Sequence, residues 1–268
     1  MPGEPTREFD PASYWEDRLG GDFSLHGVGY RGLGLRYNEW LYRVRARVFR
    51  RAVRAIGIPL ESARVLDVGS GTGFYVEQWQ RLGIRSIVAS DLTAVACDRL
   101  RQRFPSIEVR RLDLGDAEDA FPTAAFDVAS AFDVLFHIVD DERFDRAVAN
   151  LGRWVRPGGY LVCSDNFLRA GERRGRHQVS RSRERIEGSL AAAGFRIVER
   201  RATFVLMNAP VDSDSRWHWR FWRGLEAVVR HHDVRGAVVG AALYPLEAGL
   251  TARRREGPST ELVVCLRT

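Results

Sequence analysis

The sequence predicts an α/β protein built on a doubly wound, mostly parallel seven-stranded sheet. Three observations predict it. From Arg64 onward, short apolar runs alternate with segments of helical length and periodicity. The runs themselves (Val65-Leu66, Ile87-Val88-Ala89, Tyr160-Leu161-Val162-Cys163) have no polar face, as strands covered by helices on both sides require. Finally, Asp67, Asp91, Asp113, Ala131 and Asp165 all fall at the carboxyl ends of predicted strands, where open sheets of this kind bind ligands.

In chain order, residues 1–12 read as a loose tail and residues 1–57 as an N-terminal helical cap. Ser13 is placed to cap a helix starting at Tyr14, with Glu16 and Asp17 in its first turn where the helix dipole favours acids. A second helix follows. Leu41, Val44, Val48, Ala52 and Ala55 form its apolar stripe, with Arg43, Arg47, Arg50, Arg51 and Arg54 on the solvated side. The core spans 58–207 and 259–268. Its strands are predicted at 64–68, 86–90, 107–111, 126–131, 159–164, 195–204 and 260–266, with helices at 73–82, 93–103, 141–154 and 182–193. Between them, Arg169 to Arg185 carries seven arginines and no apolar period, and reads as a lid or an exposed linker. Residues 208–258 form an aromatic-rich helical insertion, expected as a substrate cap.

The run Val65 to Phe74 is the most informative stretch. A short strand ends at an acidic residue, and Gly69, Gly71 and Gly73 then alternate with Ser70 and Thr72. Alternate glycines let the backbone turn sharply and leave no Cβ between main chain and ligand. The spacing is G-x-G-x-G, not the G-x-G-x-x-G of a dinucleotide loop, and Asp67 stands two residues before it. A carboxylate there disfavours a diphosphate and suits a ligand carrying an ammonium and a sulfonium. Ser90-Asp91 follows at the interval at which a ribose-binding carboxylate is expected after such a turn. At these residues, at Phe126-Asp127-Val128 with Phe132 to Ile138, and at Leu151 to Tyr160 with Arg156-Pro157-Gly158-Gly159, the sequence resembles the class I S-adenosylmethionine-dependent methyltransferases, which are Rossmann-like. The resemblance runs from about Ala63 to Asn166.

The resemblance implies S-adenosyl-L-methionine as cofactor and roles for individual residues. Gly69, Ser70 and Gly71 would lie against it, with Asp67 organising the loop and the methionine ammonium. Asp91 would take the ribose hydroxyls, with Leu92 flanking. Asp113 and Leu114 would clamp the adenine, loop capping by Asp113 being the alternative. Ala131 and Phe132 would border the methionyl part. An alcohol acceptor must lose its proton at or near transfer, which calls for a base. His137 is the leading candidate, a packing role being the alternative, and Asp165 is the second catalytic candidate. Asp133 with Asp165 and Asn166 is similar to the magnesium set of catechol-type enzymes but offset by one residue, so no metal is assigned.

The expected activity is therefore methyl transfer to a hydroxyl of a small or medium-sized molecule. The alternatives are an RNA- or nitrogen-directed enzyme, or a cofactor-binding module without catalysis. Nucleic acid and membrane are not expected as partners. All 41 basic residues are arginine, which excludes lysine chemistry, and the net charge of +6 is offset locally by carboxylates three or four residues away. No apolar run reaches membrane-spanning length and no targeting motif opens the chain, so a cytoplasmic enzyme is expected. Cys97, Cys163 and Cys265 read as buried free thiols. Nothing in the sequence fixes the oligomeric state.

Overall fold

The computed structural model describes residues 9–268. Its sheet has the order β3-β2-β1-β4-β5-β9-β8, with strands β1 (Arg64–Val68), β2 (Ser86–Asp91), β3 (Glu108–Arg111), β4 (Phe126–Ala131), β5 (Val155–Asp165), β8 (Phe195–Ala202) and β9 (Glu261–Arg267). The first five are parallel, with Val65 paired to Ile87 on one side and Val128 on the other. β9 inserts antiparallel between β5 and β8, with Cys163 opposite Val263. The seven strands and the mostly parallel sheet are those expected from the sequence. The strand order reverses between β1 and β4, so a crevice opens beyond their carboxyl ends.

Helices cover both faces. On one lie α2 (Leu35–Ala55), α3 (Phe74–Arg81), α4 (Ala94–Arg103) and α7 (Arg216–Val229), burying Phe49, Trp79, Leu100 and Trp222 with Val65 and Val128. On the other lie α5 (Asp141–Trp154) and α6 (Arg183–Ala192), burying Phe144, Leu151 and Ile186 with Leu66 and Leu161. Adjacent strand residues thus point to opposite cores, which is why these strands read as unbroken apolar runs. The three cysteines are free and buried.

Several elements differ from the sequence reading. The first helix, α1 (Pro11–Gly21), starts earlier than expected because Asp10 is its cap: the Asp10 carboxylate accepts the Ala12 and Ser13 amides at 3.0 and 3.3 Å. Ser13 sits inside the helix and its hydroxyl donates to Asp10. Of the expected tail, residues 1–8 lie outside the described residues. The arginine-rich stretch after β5 is a small hairpin, β6 (Arg173–Arg174) with β7 (Val179–Ser180), not an open linker. Its exit is pinned by Arg181, which is fully buried, bonds Asp141 and the Ile138 carbonyl, and stacks over Phe144.

Residues 208–258 contain α7 and α8 (Asp233–Arg253); α8 packs on α2, and neither helix contributes a residue to the crevice. The α2–α8 approach is close enough that a Cβ on Gly240 would come within 2.2 Å of the Trp40 ring, and one on Gly236 within 3.1 Å of Tyr37.

Candidate active site

The crevice beyond β1, β2 and β4 holds a cavity of about 500 Å3. One end is walled by Gly69, Ser70, Gly71, Asp91, Leu92, Asp113 and Leu114, the other by Trp15, Tyr42, Phe74, Tyr75, Phe132, Asp133 and His137. Nine of the twelve cofactor and catalytic candidates named from the sequence therefore line one cavity. Asp67, Ala131 and Asp165 do not line it.

The glycine turn is held by its own backbone and by Asp91. Gly69 and Gly71 have φ of +64° and +50°, left-handed values that cost a residue with a side chain. A Cβ on Gly69 would also come within 2.3 Å of Val134. The Ser70 amide donates to the Ser90 carbonyl at 2.9 Å, tying the turn to β2. Asp91, at the end of β2, accepts the Gly71 amide on Oδ2 at 2.9 Å, and the Thr93 amide and hydroxyl on Oδ1 at 3.0 and 2.8 Å. Burial raises its pKa against these hydrogen bonds, which favour the charged form.

Asp67 lies beneath the loop. Its Oδ1 accepts the Ser130 hydroxyl at 2.5 Å, while Oδ2 is buried without a partner. Burial pushes its pKa up to about 6. An unpartnered buried carboxylate oxygen is costly, and an arriving cation would relieve it. Asp113 does not stand free at the rim: Arg143 from α5 holds its Oδ2 at 2.6 Å, and its Oδ1 caps the Gly115 amide.

At the other end, Phe132 stacks on Tyr75 with ring centroids 3.8 Å apart. Next to it Asp133 adopts φ +57°, a strained conformation for a residue with a side chain. Ser164 fixes it, accepting the Asp133 amide and donating to its Oδ1, both at 2.9 Å, and Arg45 of α2 pairs with the other oxygen. His137 follows on a short 3-10 turn, Leu135–His137. Its Nδ1 lies 2.8 Å from the His177 carbonyl, which can only accept, so Nδ1 carries the proton and Nε2 keeps its lone pair. Burial lowers the His137 pKa to about 4, leaving the ring neutral.

Asp165 departs from the catalytic role expected of it. The carboxylate is buried at the end of β5, accepts the Asn166 amide at 2.7 Å, and is pushed up to about 7 by burial. Asn166 ties the strand to Ser180 and Thr260. Asn166 thus links the end of β5 to the hairpin and to the residue before β9, and no cluster of three His, Cys, Asp or Glu arranged to hold a metal ion is found among the described residues.

The sequence reading places a helical cap at residues 1–57 but names none of the residues that roof the cavity. The roof comes from α1 and α2, whose Trp15 and Tyr42 line it, and α1 is anchored by Glu16, which accepts the Ala94 and Val95 amides at 2.7 and 2.9 Å. Glu16 thus caps α4 from another helix, and no local motif announces that. Phe74 and Tyr75 carried a readable signal, since they directly follow the glycine turn.

Comparison with known proteins bears on this geometry. Residues 66–163, which contain the glycine turn, Asp91, Asp113 and His137, match the family model described as a methyltransferase domain. Over these residues the chain is similar to the S-adenosylmethionine-dependent methyltransferases. The ubiquinone biosynthesis O-methyltransferase of Rhizobium etli is 30% identical over 168 residues, covering 54% of this chain and 65% of that protein. The chain thus spans just under two thirds of that relative's length. The enzyme of the same name from Mesorhizobium japonicum is 28% identical over 180 residues, covering 59% of this chain and 68% of that protein. Among solved structures, magnesium protoporphyrin IX methyltransferase of Synechocystis PCC 6803, with bound S-adenosylmethionine, aligns over 98% of this chain and 100% of its own at a TM-score of 0.58 and 14% identity. The [4+2]-cyclase SpnF aligns over 82% of this chain and 81% of its own at a TM-score of 0.53 and 20% identity, a likeness of fold.

S-adenosylmethionine is the cofactor of these methyltransferases, and the residues present fit it. The chain offers an open glycine cradle, a carboxylate at the end of β2 and a buried, unpartnered oxygen on Asp67 suited to an ammonium.

Proposed function

We propose that the chain is an O-methyltransferase moving a methyl group from S-adenosylmethionine to a hydroxyl of a small or medium-sized molecule. One observation carries the reading: a single cavity joins the glycine turn and Asp91 to an aromatic end where His137 and Asp133 face the same space. The names of the relatives from Rhizobium etli and Mesorhizobium japonicum support it.

The cofactor supplies an activated methyl carbon, so the protein has to align the acceptor and exclude water. Backbone groups of Gly69, Ser70 and Gly71 would hold the cofactor's methionyl part, with Phe132 closing one side and Asp67, buried beneath the turn, acting on the ammonium through the loop and water. Asp91 would accept a ribose hydroxyl on the Oδ2 lone pair that the Gly71 amide leaves free, and Leu92 would pack against the ring. Asp113 and Leu114 meet the adenine, Arg143 fixing the carboxylate. At the acceptor end Tyr75, Phe132 and Trp15 grip a flat apolar body. His137 takes the hydroxyl proton on Nε2, and the charge that forms there is stabilised by Asp133.

The volume favours a compact acceptor over a folded nucleic acid. Incubation with methyl-labelled cofactor and a panel of phenols, catechols, aliphatic alcohols and RNA tests the reading. Label in an ether of a small hydroxylated compound supports it, label in RNA alone overturns the substrate class, and cofactor binding without transfer to any acceptor leaves only a binding module.

A further inference from the structure

Helix α8 is apolar almost all the way round, a composition that ordinarily belongs to a helix buried on every side. Only one side is buried, where Gly236, Gly240 and Ala248 face the α2 side of the fold. The opposite side is open. Val234 is 79%, Val238 64% and Leu246 54% exposed, and Ala241, Ala242 and Pro245 between them are exposed as well. These positions recur at helical spacing and make one stripe about 18 Å long at 1.5 Å per residue. On the neighbouring α7, Trp217 is 59% exposed.

The charge around this stripe is uncompensated. Among the described residues Arg216, Arg220, Arg223, Arg230 and Arg235 make no ion pair. Three of the insertion's acids are committed elsewhere. Glu226 accepts the Tyr30 hydroxyl at 2.9 Å, Asp233 the Arg36 amide at 3.3 Å, and buried Glu247 the Val205 and Leu206 amides at 2.6 and 2.9 Å. An exposed apolar stripe, an exposed tryptophan and unneutralised arginines therefore sit together on one helical pair.

We propose that α7 and α8 form a surface that rests on an anionic phospholipid bilayer. The valines and Leu246 enter the boundary between headgroups and acyl chains, Trp217 sits at headgroup level, and the arginines meet phosphates. Among the described residues no helix is long and apolar enough to cross a membrane, and the contact proposed is a peripheral one. A second copy of the chain fits less well, because a two-fold interface would bring these uncompensated arginines toward their own counterparts. The expectation of no membrane partner rested on spanning length and lipidation motifs, and neither reveals a stripe that exists only once α8 has docked on α2.

The test is co-sedimentation of the full chain with phosphatidylcholine vesicles with and without phosphatidylglycerol. Binding is expected only with phosphatidylglycerol and to weaken with salt. The double variant Val238→Glu with Leu246→Glu should lower partitioning roughly tenfold or more. Arg220→Glu with Arg223→Glu should remove the dependence on phosphatidylglycerol, and both double variants should keep wild-type melting temperature and S-adenosylhomocysteine binding. Absence of binding by the wild type, or binding unchanged in both variants, overturns the proposal. So does a wild-type dimer, seen by light scattering, that Val238→Glu with Leu246→Glu converts to monomer, since the stripe then belongs to a second copy.

Discussion

Replacing Asp91 by alanine probes both the architecture and the chemistry of the site. In the structure its carboxylate holds three donors: the Gly71 amide at 2.9 Å, the Thr93 amide at 3.0 Å and the Thr93 hydroxyl at 2.8 Å. Hydrogen bonds to a charged acceptor contribute about 1.5–3 kcal/mol each, but members of one network do not add. Burial also works against this carboxylate, since it raises the pKa. The expected loss of folding stability is therefore about 1–3 kcal/mol, well short of the sum. Binding should suffer separately. If Asp91 also takes a ribose hydroxyl on its remaining lone pair, affinity for S-adenosylhomocysteine falls by about 1–3 kcal/mol, or roughly five- to 150-fold. Asp91→Asn keeps an acceptor for Thr93 and loses the charge, so it should retain more stability than Asp91→Ala while still binding weakly. Urea denaturation reads the first quantity and calorimetric titration the second. A folded Asp91→Ala protein that binds S-adenosylhomocysteine with wild-type affinity would refute the assignment.

Two further outcomes follow from the same geometry. Because the Asp67 pKa is raised to about 6 and the carboxylate is needed in charged form by an ammonium, affinity should be near full about a unit above pH 6, about half at pH 6, and fall by up to about tenfold per unit below it; titration across pH 5 to 8 checks this, and Asp67→Asn should flatten the profile. Glu16→Ala frees two amides at the start of α4 and loosens α1, so stability should drop by about 1 kcal/mol and S-adenosylhomocysteine should dissociate faster in stopped flow; an unchanged dissociation rate would mean that α1 does not close the cavity.

Much of the fold was legible because its signals are local. Buried parallel strands leave unbroken apolar runs, and a left-handed turn leaves glycines, so β1, Gly69, Gly71 and Asp91 could be read in sequence. The parts that were not legible depend on packing between distant segments. Asp10 displaced Ser13 as the cap of α1 because the helix continues one turn further back than its acidic residues suggest. Asp165 resembles Asp91 and Asp113 in sequence, an acid ending a strand, yet antiparallel β9 lies beside it and its carboxylate ends up buried away from the cavity. Where α8 of the insertion lies is decided by Gly236 and Gly240 against Tyr37 and Trp40 of α2, contacts that no periodicity reports.

The central claim is that the turn after β1 receives a cationic sulfur nucleoside. Calorimetric titration of the purified chain with S-adenosylmethionine, S-adenosylhomocysteine, NAD and ATP tests it most directly. Saturable binding of the first two at one site, with no heat from NAD or ATP, is the predicted result. Tight binding of NAD or ATP with indifference to S-adenosylhomocysteine would contradict it.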